Sequence, residues 1–343
     1  MPVNTTNKPD YLSLDAPEFG QRVEIVDGVY WLRMPLPFLL GHINVWMLRN
    51  DDNSVSIVDT GLNTDDTQSH WRALIGNTVL REVIATHLHP DHIGSAGWLC
   101  DTYDAPLIMS RVDYLMCRVL VSDTGKTAPE EGVDFYRSAG FDEAAIERYK
   151  AMFGGFGTMV STLPVSFRRL RDGDTLHAAG RDWRIIITGG HCPEHASLYC
   201  EAERLFISGD QILPTISSNV SVWPTEPEAD PLGDWLDACE RLKRELHPDT
   251  LVMPSHGKPF HGVTDRLQAL LDEHHQGLAK LRTHCIEPRR VVDTFEVLFK
   301  GRISEGNLIM ATGEAQAHLN YLIHRHQIES TLTDGVAWYR TVG

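Results

Sequence analysis

Between Thr86 and His92 the chain reads Thr-His-Leu-His-Pro-Asp-His, directly after the strand-like run Val83-Ile84-Ala85. Three imidazoles and a carboxylate therefore crowd into one short loop. Buried without partners, such groups are costly. Around a divalent cation they are themselves the partners. His87 and His89 are two apart and share one face of an extended chain, while the turn at Pro90 swings Asp91 and His92 toward a second centre.

Four more polar residues each stand where an apolar run stops: Asp59 after Ser56-Ile57-Val58, His191 after Ile185-Ile186-Ile187, Asp210 after Phe206-Ile207, and His256 after Leu251-Val252-Met253. Sheet-based folds collect their reactive groups at one end of the sheet, so these endings point to one site built from distant segments. His195, four residues after His191, competes with it for the same role. Asp59 and Asp210 could equally serve as turn or cap residues.

The elements that must position these groups follow from the pattern of apolar residues. Short strands are expected at Val23–Val26, Val29–Leu32, Ile43–Leu48 and Val55–Val58, with a helix capped by Thr64 and carrying Trp71 and Leu74. Ile93–Cys100 reads as a helix whose Gly94, Ala96 and Gly97 allow close packing on a sheet. Residues 110–160 read as a helical insertion rich in aromatics. Strands return at Trp183–Thr188, Tyr199–Cys200, Leu205–Ser208 and Thr250–Met253, with helices at Asp234–Leu246 and Thr264–Thr283. The division expected is an arm over residues 1–20, a main domain over 21–283, and a C-terminal unit over 284–343. In that unit helices at Val291–Phe299 and Asn307–His324 precede a hairpin across Thr333-Asp334-Gly335, the order of a small winged helix.

Composition narrows the function classes. The chain has 343 residues, is 42% hydrophobic and carries a formal charge of -16, so it should bury a large core and should not attract nucleic acid or anionic membranes. The C-terminal unit holds 6 Lys and Arg against 7 Asp and Glu, or -1, and gives a nucleic-acid role no electrostatic support. Packing or a homodimer is the expected use of that unit. Six cysteines at wide spacing, with no Cys-x-x-Cys, fit a reducing compartment, and the polar N-terminal stretch and short apolar runs fit a cytoplasmic protein.

His87-x-His89-x-Asp91-His92, with Asp59, His191, Asp210 and His256 in the same order and approximate spacing, resembles the metallo-β-lactamase superfamily over about residues 20–260. The resemblance implies an α/β fold, the αββα sandwich, here with a helical insertion and a winged-helix-like tail. It implies that His87, His89 and His191 hold one metal ion, that Asp91, His92 and His256 hold another, and that Asp210 bridges them. Asp59 and His195 would orient those groups from behind. Asp91, His92 and Asp210 would sit nearest the chemistry. The cofactors implied are two divalent ions, zinc before iron or manganese. The ligand set has neither a Cys nor a His-x-Glu, which resembles the hydrolase branches rather than the flavodiiron one.

Among those branches the chain is most similar to glyoxalase II-like thioesterases, with a small acyl substrate. Gly257–Thr283 carries only Lys258, Arg266, Lys280 and Arg282, so an acyl-CoA or another acylated carrier suits it as well as glutathione. A lactonase or other carboxylic ester hydrolase, an endoribonuclease and a mononuclear iron persulfide dioxygenase are the alternatives. His42 is first expected in the core or at the rim and second as a substrate contact. The aromatics of 114–156, Tyr114, Tyr136 and Phe153 among them, are first expected as the core of a helical hairpin and second as the lining of a substrate pocket.

Overall fold

The protein's structure, a computed structural model, describes residues 9–37, 40–301 and 303–342. After β1 (Asp10–Tyr11) come seven strands that form one sheet in chain order: β2 (Arg22–Val26), β3 (Val29–Pro35), β4 (His42–Arg49), β5 (Val55–Val58), β6 (Leu80–Ile84), β7 (Leu107–Met109) and β8 (Arg168–Arg169). A second sheet runs in the order β1, β14 (Phe260–His261), β13 (Leu251–Pro254), β12 (Leu205–Gly209), β11 (His195–Cys200), β10 (Arg181–Thr188), β9 (Thr175–Ala178).

The central strands read as near-continuous apolar runs because both of their faces are buried. In β4, Ile43, Val45 and Met47 point to the helices outside the sheet, while Trp46 and Leu48 point to the opposite sheet. The layer between the sheets packs Trp31, Trp46, Val58 and Ile84 against Trp183, Ile185, Leu198 and Ile207. Helices α1 (Asp65–Ile75), α2 (Pro90–Ile93) and α3 (Ala96–Tyr103) cover the first sheet, and α7 (Pro231–Glu245) and α8 (Val263–His284) cover the second. Four layers result, helix–sheet–sheet–helix, as the sequence leads one to expect.

Local chemistry explains the boundaries. Thr64 caps α1 by accepting the Thr67 N–H, and Asp65 and Asp66 fill its first turn. The helix expected over Ile93–Cys100 is two pieces, α2 and α3, broken at Gly94-Ser95. Ala96, Leu99 and Cys100 do pack on the sheet, but Gly97 faces elsewhere: any Cβ there would overlap the Thr162 carbonyl. Residues 1–8 of the expected arm lie outside the described residues. The rest of it is pinned, since β1 pairs with β14 and the Leu12 N–H reaches the Pro259 carbonyl.

Between β7 and β8 the chain forms α4 (Arg111–Ser122), α5 (Glu130–Ser138) and α6 (Glu143–Met152). Tyr136, Tyr149, Val133 and Ile146 give this segment a small core of its own. At the C-terminus, α9 (Phe295–Leu298) is a single turn following a 3-10 turn, where one longer helix was expected. Then come α10 (Leu308–His324) and the hairpin β15 (Ile328–Thr333) and β16 (Val336–Thr341). Ala315, Leu319 and Leu322 of α10 and Tyr339 of β16 share one core with Trp235 and Leu242 of α7 and Leu271 and Leu278 of α8. Among the described residues no helix is long and apolar enough to cross a membrane.

Candidate metal centre

Strand direction decides where the polar endings meet. β5 and β6 are parallel neighbours, as are β12 and β13, and β10 runs the same way as β12 because β11 is antiparallel to both. Asp59, the His87–His92 loop, His191, Asp210 and His256 all follow the C-terminal ends of those strands. The sheets are joined at this rim by Asn44, whose backbone N–H donates to the Ser255 carbonyl and whose side-chain amide donates to the carbonyls of Pro254 and Gly257.

Seven residues converge there in two sets: His87, His89, His191 and Asp210, and then Asp91, His92 and His256. In the first, His87 Nε2 lies 2.9 Å from His89 Nδ1 and 3.2 Å from His191 Nε2, and His89 Nδ1 is 2.9 Å from His191 Nε2. In the second, His256 Nε2 is 3.3 Å from Asp91 Oδ2, and His92 Nε2 is 3.7 Å from the same oxygen. Asp210 stands between them. Its Oδ2 is 3.4 Å from His191 Nε2, while its Oδ1 is 3.5 Å from His92 Nε2 and 3.6 Å from His256 Nε2.

The outer nitrogens of four rings are already committed. His87 Nδ1 donates to Thr86 Oγ1 at 3.0 Å, His92 Nδ1 to Asp59 Oδ2 at 2.8 Å, His191 Nδ1 to the Asn219 carbonyl at 2.7 Å, and His256 Nδ1 to the His42 carbonyl at 3.1 Å. With its outer nitrogen so engaged, a neutral ring turns a lone pair inward. Against the opposing pull of burial, Asp59, Asp91 and Asp210 push His92 well above the ordinary histidine value and Asp210 and Asp91 raise His256, so on those two rings a cation takes the place of an inward proton. His87 Nε2 and His191 Nε2 then face each other 3.2 Å apart, and among the described residues buried His92 Nε2 meets only the Asp91 and Asp210 carboxylates, at 3.7 and 3.5 Å. Burial also holds His87 well below, and His89 down to about 3 from, the ordinary histidine value, the neutral state in which imidazole is a ligand. Imidazole nitrogens and carboxylate oxygens converging in this way fit divalent cations: His87, His89 and His191 could hold one, Asp91, His92 and His256 another, and Asp210 could touch both.

Asp59 does more than accept from His92. Its Oδ1 takes the Thr86 N–H at 2.8 Å and its Oδ2 the Thr86 hydroxyl at 2.9 Å, so one carboxylate fixes His92 and, through Thr86, His87. It does so from a left-handed backbone conformation, φ 63°, which is rare outside glycine. His195 is fully buried and points no nitrogen into either set: its Nε2 accepts the backbone N–H of Asp210 at 3.1 Å. The approach needs Gly209, whose φ is 52° and where a Cβ would lie 2.5 Å from His195 Nε2. Ser255 donates its hydroxyl to Asp210 Oδ1 at 2.6 Å.

The residues with a substrate pocket as their second reading fare differently. His42 sits at the rim, half-buried, and supports His256 through its carbonyl. Tyr114 is buried, stacked on Phe167, with its hydroxyl given to the carbonyls of Pro164 and Val165. Tyr136 is buried in the core of the insertion and Phe153 packs against that core. Tyr136 fills the insertion's own core and Tyr114 the core under the first sheet's helices, which leaves neither ring surface for a ligand.

Two contributors carry no motif and were missed. Asp113 on α4 accepts the Leu88 N–H at 3.0 Å and the Glu194 N–H at 2.8 Å, and burial pushes its carboxyl up to about 6. Burial, and after it the Asp113 carboxylate, pushes the thiol of Cys192, beside His191, well above its ordinary value. Asn219, whose carbonyl holds His191, gives its side-chain amide to Glu314 of α10 at 2.9 Å. All six cysteines are free and buried.

Comparison with known proteins places the fold. Residues 39–256 match the family model for the metallo-beta-lactamase superfamily, and residues 278–342 match that for the metallo-beta-lactamase-like C-terminal domain. The chain is 26% identical over 339 residues to the probable metallo-hydrolase YqjP of Bacillus subtilis, covering 92% of this chain and 98% of that protein. Among solved structures it is similar to a beta-lactamase domain protein from Burkholderia ambifaria, at 35% identity with a TM-score of 0.88 over 97% of this chain and 98% of that one. It is also similar to a metallo-beta-lactamase family protein from Thermus thermophilus, at 25% identity with a TM-score of 0.79 over 93% of this chain and 100% of that one. The chain belongs to the metallo-beta-lactamase superfamily.

Proposed function

We propose that this protein is a metal-dependent hydrolase that cleaves a thioester of a small acyl group. The two cations, zinc in this reading, are held by His87, His89 and His191 and by Asp91, His92 and His256, with Asp210 shared. When bound, such ions lower the pKa of a coordinated water from about 15.7 to about 7 and polarise the carbonyl under attack. The observation that carries the reading is the placement of Asp210, with one carboxylate oxygen turned to each histidine set. Asp59 and the carbonyls of Asn219 and His42 hold an imidazole proton on each outer nitrogen, so each inner nitrogen can give its lone pair to a cation.

A thioester fits because a thiolate leaves without a proton donor. Among the described residues, Thr86, Ser255 and Asp59, which touch the seven, are already engaged with one another or with a ligand side chain. A glyoxalase II-like enzyme acting on an acylated glutathione or coenzyme A is the form proposed, in a reducing cytoplasm that keeps the six thiols free. The C-terminal unit, two helices and a hairpin in winged-helix order, is proposed to pack on α7 and α8 and to pair with a second copy rather than to bind nucleic acid. The test is metal quantification on the purified protein, then a panel of acyl thioesters, lactones and single-stranded RNA. Two zinc ions per chain with thioester turnover is the expected result. Turnover of lactones alone would move the assignment to an ester hydrolase, RNA cleavage to a nuclease, and one iron per chain with persulfide oxidation to an oxygenase.

A further inference from the structure

We propose that Asp113 is a positioning residue that holds His87, His89 and His191 in register by bracing the two backbone segments that carry them; this rests on the reading of those rings as cation ligands. The two segments come from different sheets. His87 and His89 follow β6 in the first, and His191 follows β10 in the second. Below the rings the Ala196 N–H already ties the second sheet to the Thr86 carbonyl at 2.8 Å, which leaves the loops themselves to be held by a group that touches both. Asp113 does: Oδ2 takes the N–H of Leu88, the residue between His87 and His89, and Oδ1 takes the N–H of Glu194, three residues after His191.

The brace is itself held. Glu194 returns the contact by accepting the Val112 N–H on Oε2 at 2.8 Å, so α4 and the His191 loop are tied in both directions. One residue along α4, Tyr114 anchors the helix through the Pro164 and Val165 carbonyls. Asp113 has no solvent exposure, so neither backbone N–H can turn to water if the carboxylate is lost. Both oxygens are needed, because each serves one sheet. The Asp91, His92 and His256 set receives no contact from Asp113. A brace of this kind should therefore act on one cation and spare the other.

The experiment is Asp113→Asn in the full-length protein, loaded with zinc alone. An amide offers one acceptor where the carboxylate offers two, and turns an N–H toward the other backbone donor. The expected result is that zinc content falls from two ions per chain to one, with affinity for the lost ion down by about ten-fold or more. The rise in melting temperature that zinc produces should shrink. A purely structural role would lower the metal-free and zinc-loaded midpoints together and leave the zinc content at two, and that outcome overturns the proposal. If Asp113→Asn does not fold, Asp113→Ser, with one acceptor and no amide donor, is measured by the same readouts and held to the same outcomes. His87→Ala run alongside separates the two layers of the argument: two ions retained in His87→Ala defeats the ligand reading itself, whereas one ion in His87→Ala with two in Asp113→Asn defeats only the brace.

Discussion

The three-histidine set and the Asp91–His92–His256 set are built from the same rim but are held by different parts of the chain. The second set is supported by the sandwich alone: Asp59 from the end of β5, the His42 carbonyl at the start of β4, and Ser255 beside His256 acting through Asp210. The first draws on segments outside the sandwich. Asp113 comes from the insertion, and the Asn219 carbonyl that holds His191 lies on a loop fastened to the C-terminal helix α10. The Val222 N–H also donates to the Gly313 carbonyl of α10, which fixes that loop a second time. A centre supported in this way can have one half tuned by changes in the insertion or tail while the other half stays as the sandwich makes it.

The largest effect should come from the residue the halves share. Asp210→Ala removes an oxygen from each set and leaves the buried Ser255 hydroxyl without its acceptor. Both ions should bind poorly and turnover should fall by about 1,000-fold or more. Full metal content with near-normal turnover would show that Asp210 joins nothing. Next come the separated ligands. His89→Ala should lose one ion and His256→Ala the other, each with the metal-free melting temperature changed by only a few degrees, since a single rim side chain adds little to a core packed in three layers. If both variants lose both ions, the halves do not bind independently and the comparison fails.

What the sequence made legible was the part encoded by local pattern. The His87–His92 run, Asp59, His191, Asp210 and His256 were readable because each follows an apolar strand, and strands of both sheets end at one rim. Residue type alone left His191 and His195 open, and motif order favoured His191; the structure supplies the reason, since His195 Nε2 accepts the Asp210 N–H instead. Asp113 and Asn219 were illegible for a different reason. Each acts through backbone groups, and backbone N–H and C=O groups carry no side-chain identity for a motif to record. An aspartate in the first turn of a helix looks like any solvated charge until its depth is known. The aromatics of the insertion allowed two readings, because a helical hairpin with its own core needs the same residue types as a pocket wall, and Tyr136 takes the first of them.

The tautomer argument gives a sharper contrast between the halves. Asp59→Asn keeps an acceptor for the Thr86 N–H, but its amide N–H then faces His92 Nδ1. That drives the His92 proton to Nε2, the inward nitrogen, where it excludes a cation. Affinity should fall by about 10- to 100-fold at the Asp91–His92–His256 set, measured by competition with a chelator. The three-histidine set should lose less, since Asp59 reaches His87 only through Thr86. Equal losses at both sets would mean that Asp59 props up the whole rim rather than one ring.

The smallest expected effect tests the C-terminal support. Burial pushes the Glu314 carboxyl up to about 7 from the ordinary 4.5, although its hydrogen bond from Asn219 pulls the other way. A carboxyl raised in the folded state binds more protons folded than unfolded between those two values. Stability from this group is therefore full below about pH 4.5, declines as pH rises to about 7, and stays at the lower level above. Glu314→Gln removes the buried charge and keeps an oxygen for the Asn219 amide. Part of the side chain still reaches solvent, so the gain at pH 8 should be on the order of 1 kcal/mol, or about 2 °C, and much smaller at pH 5. Zinc content should not change, because the Asn219 carbonyl keeps its place over His191. An equal shift in melting temperature at both pH values would mean that Glu314 is not ionised in the fold at pH 8. A loss of zinc in this variant would mean that the charge itself, and not only the fastening of the loop, reaches the three-histidine half.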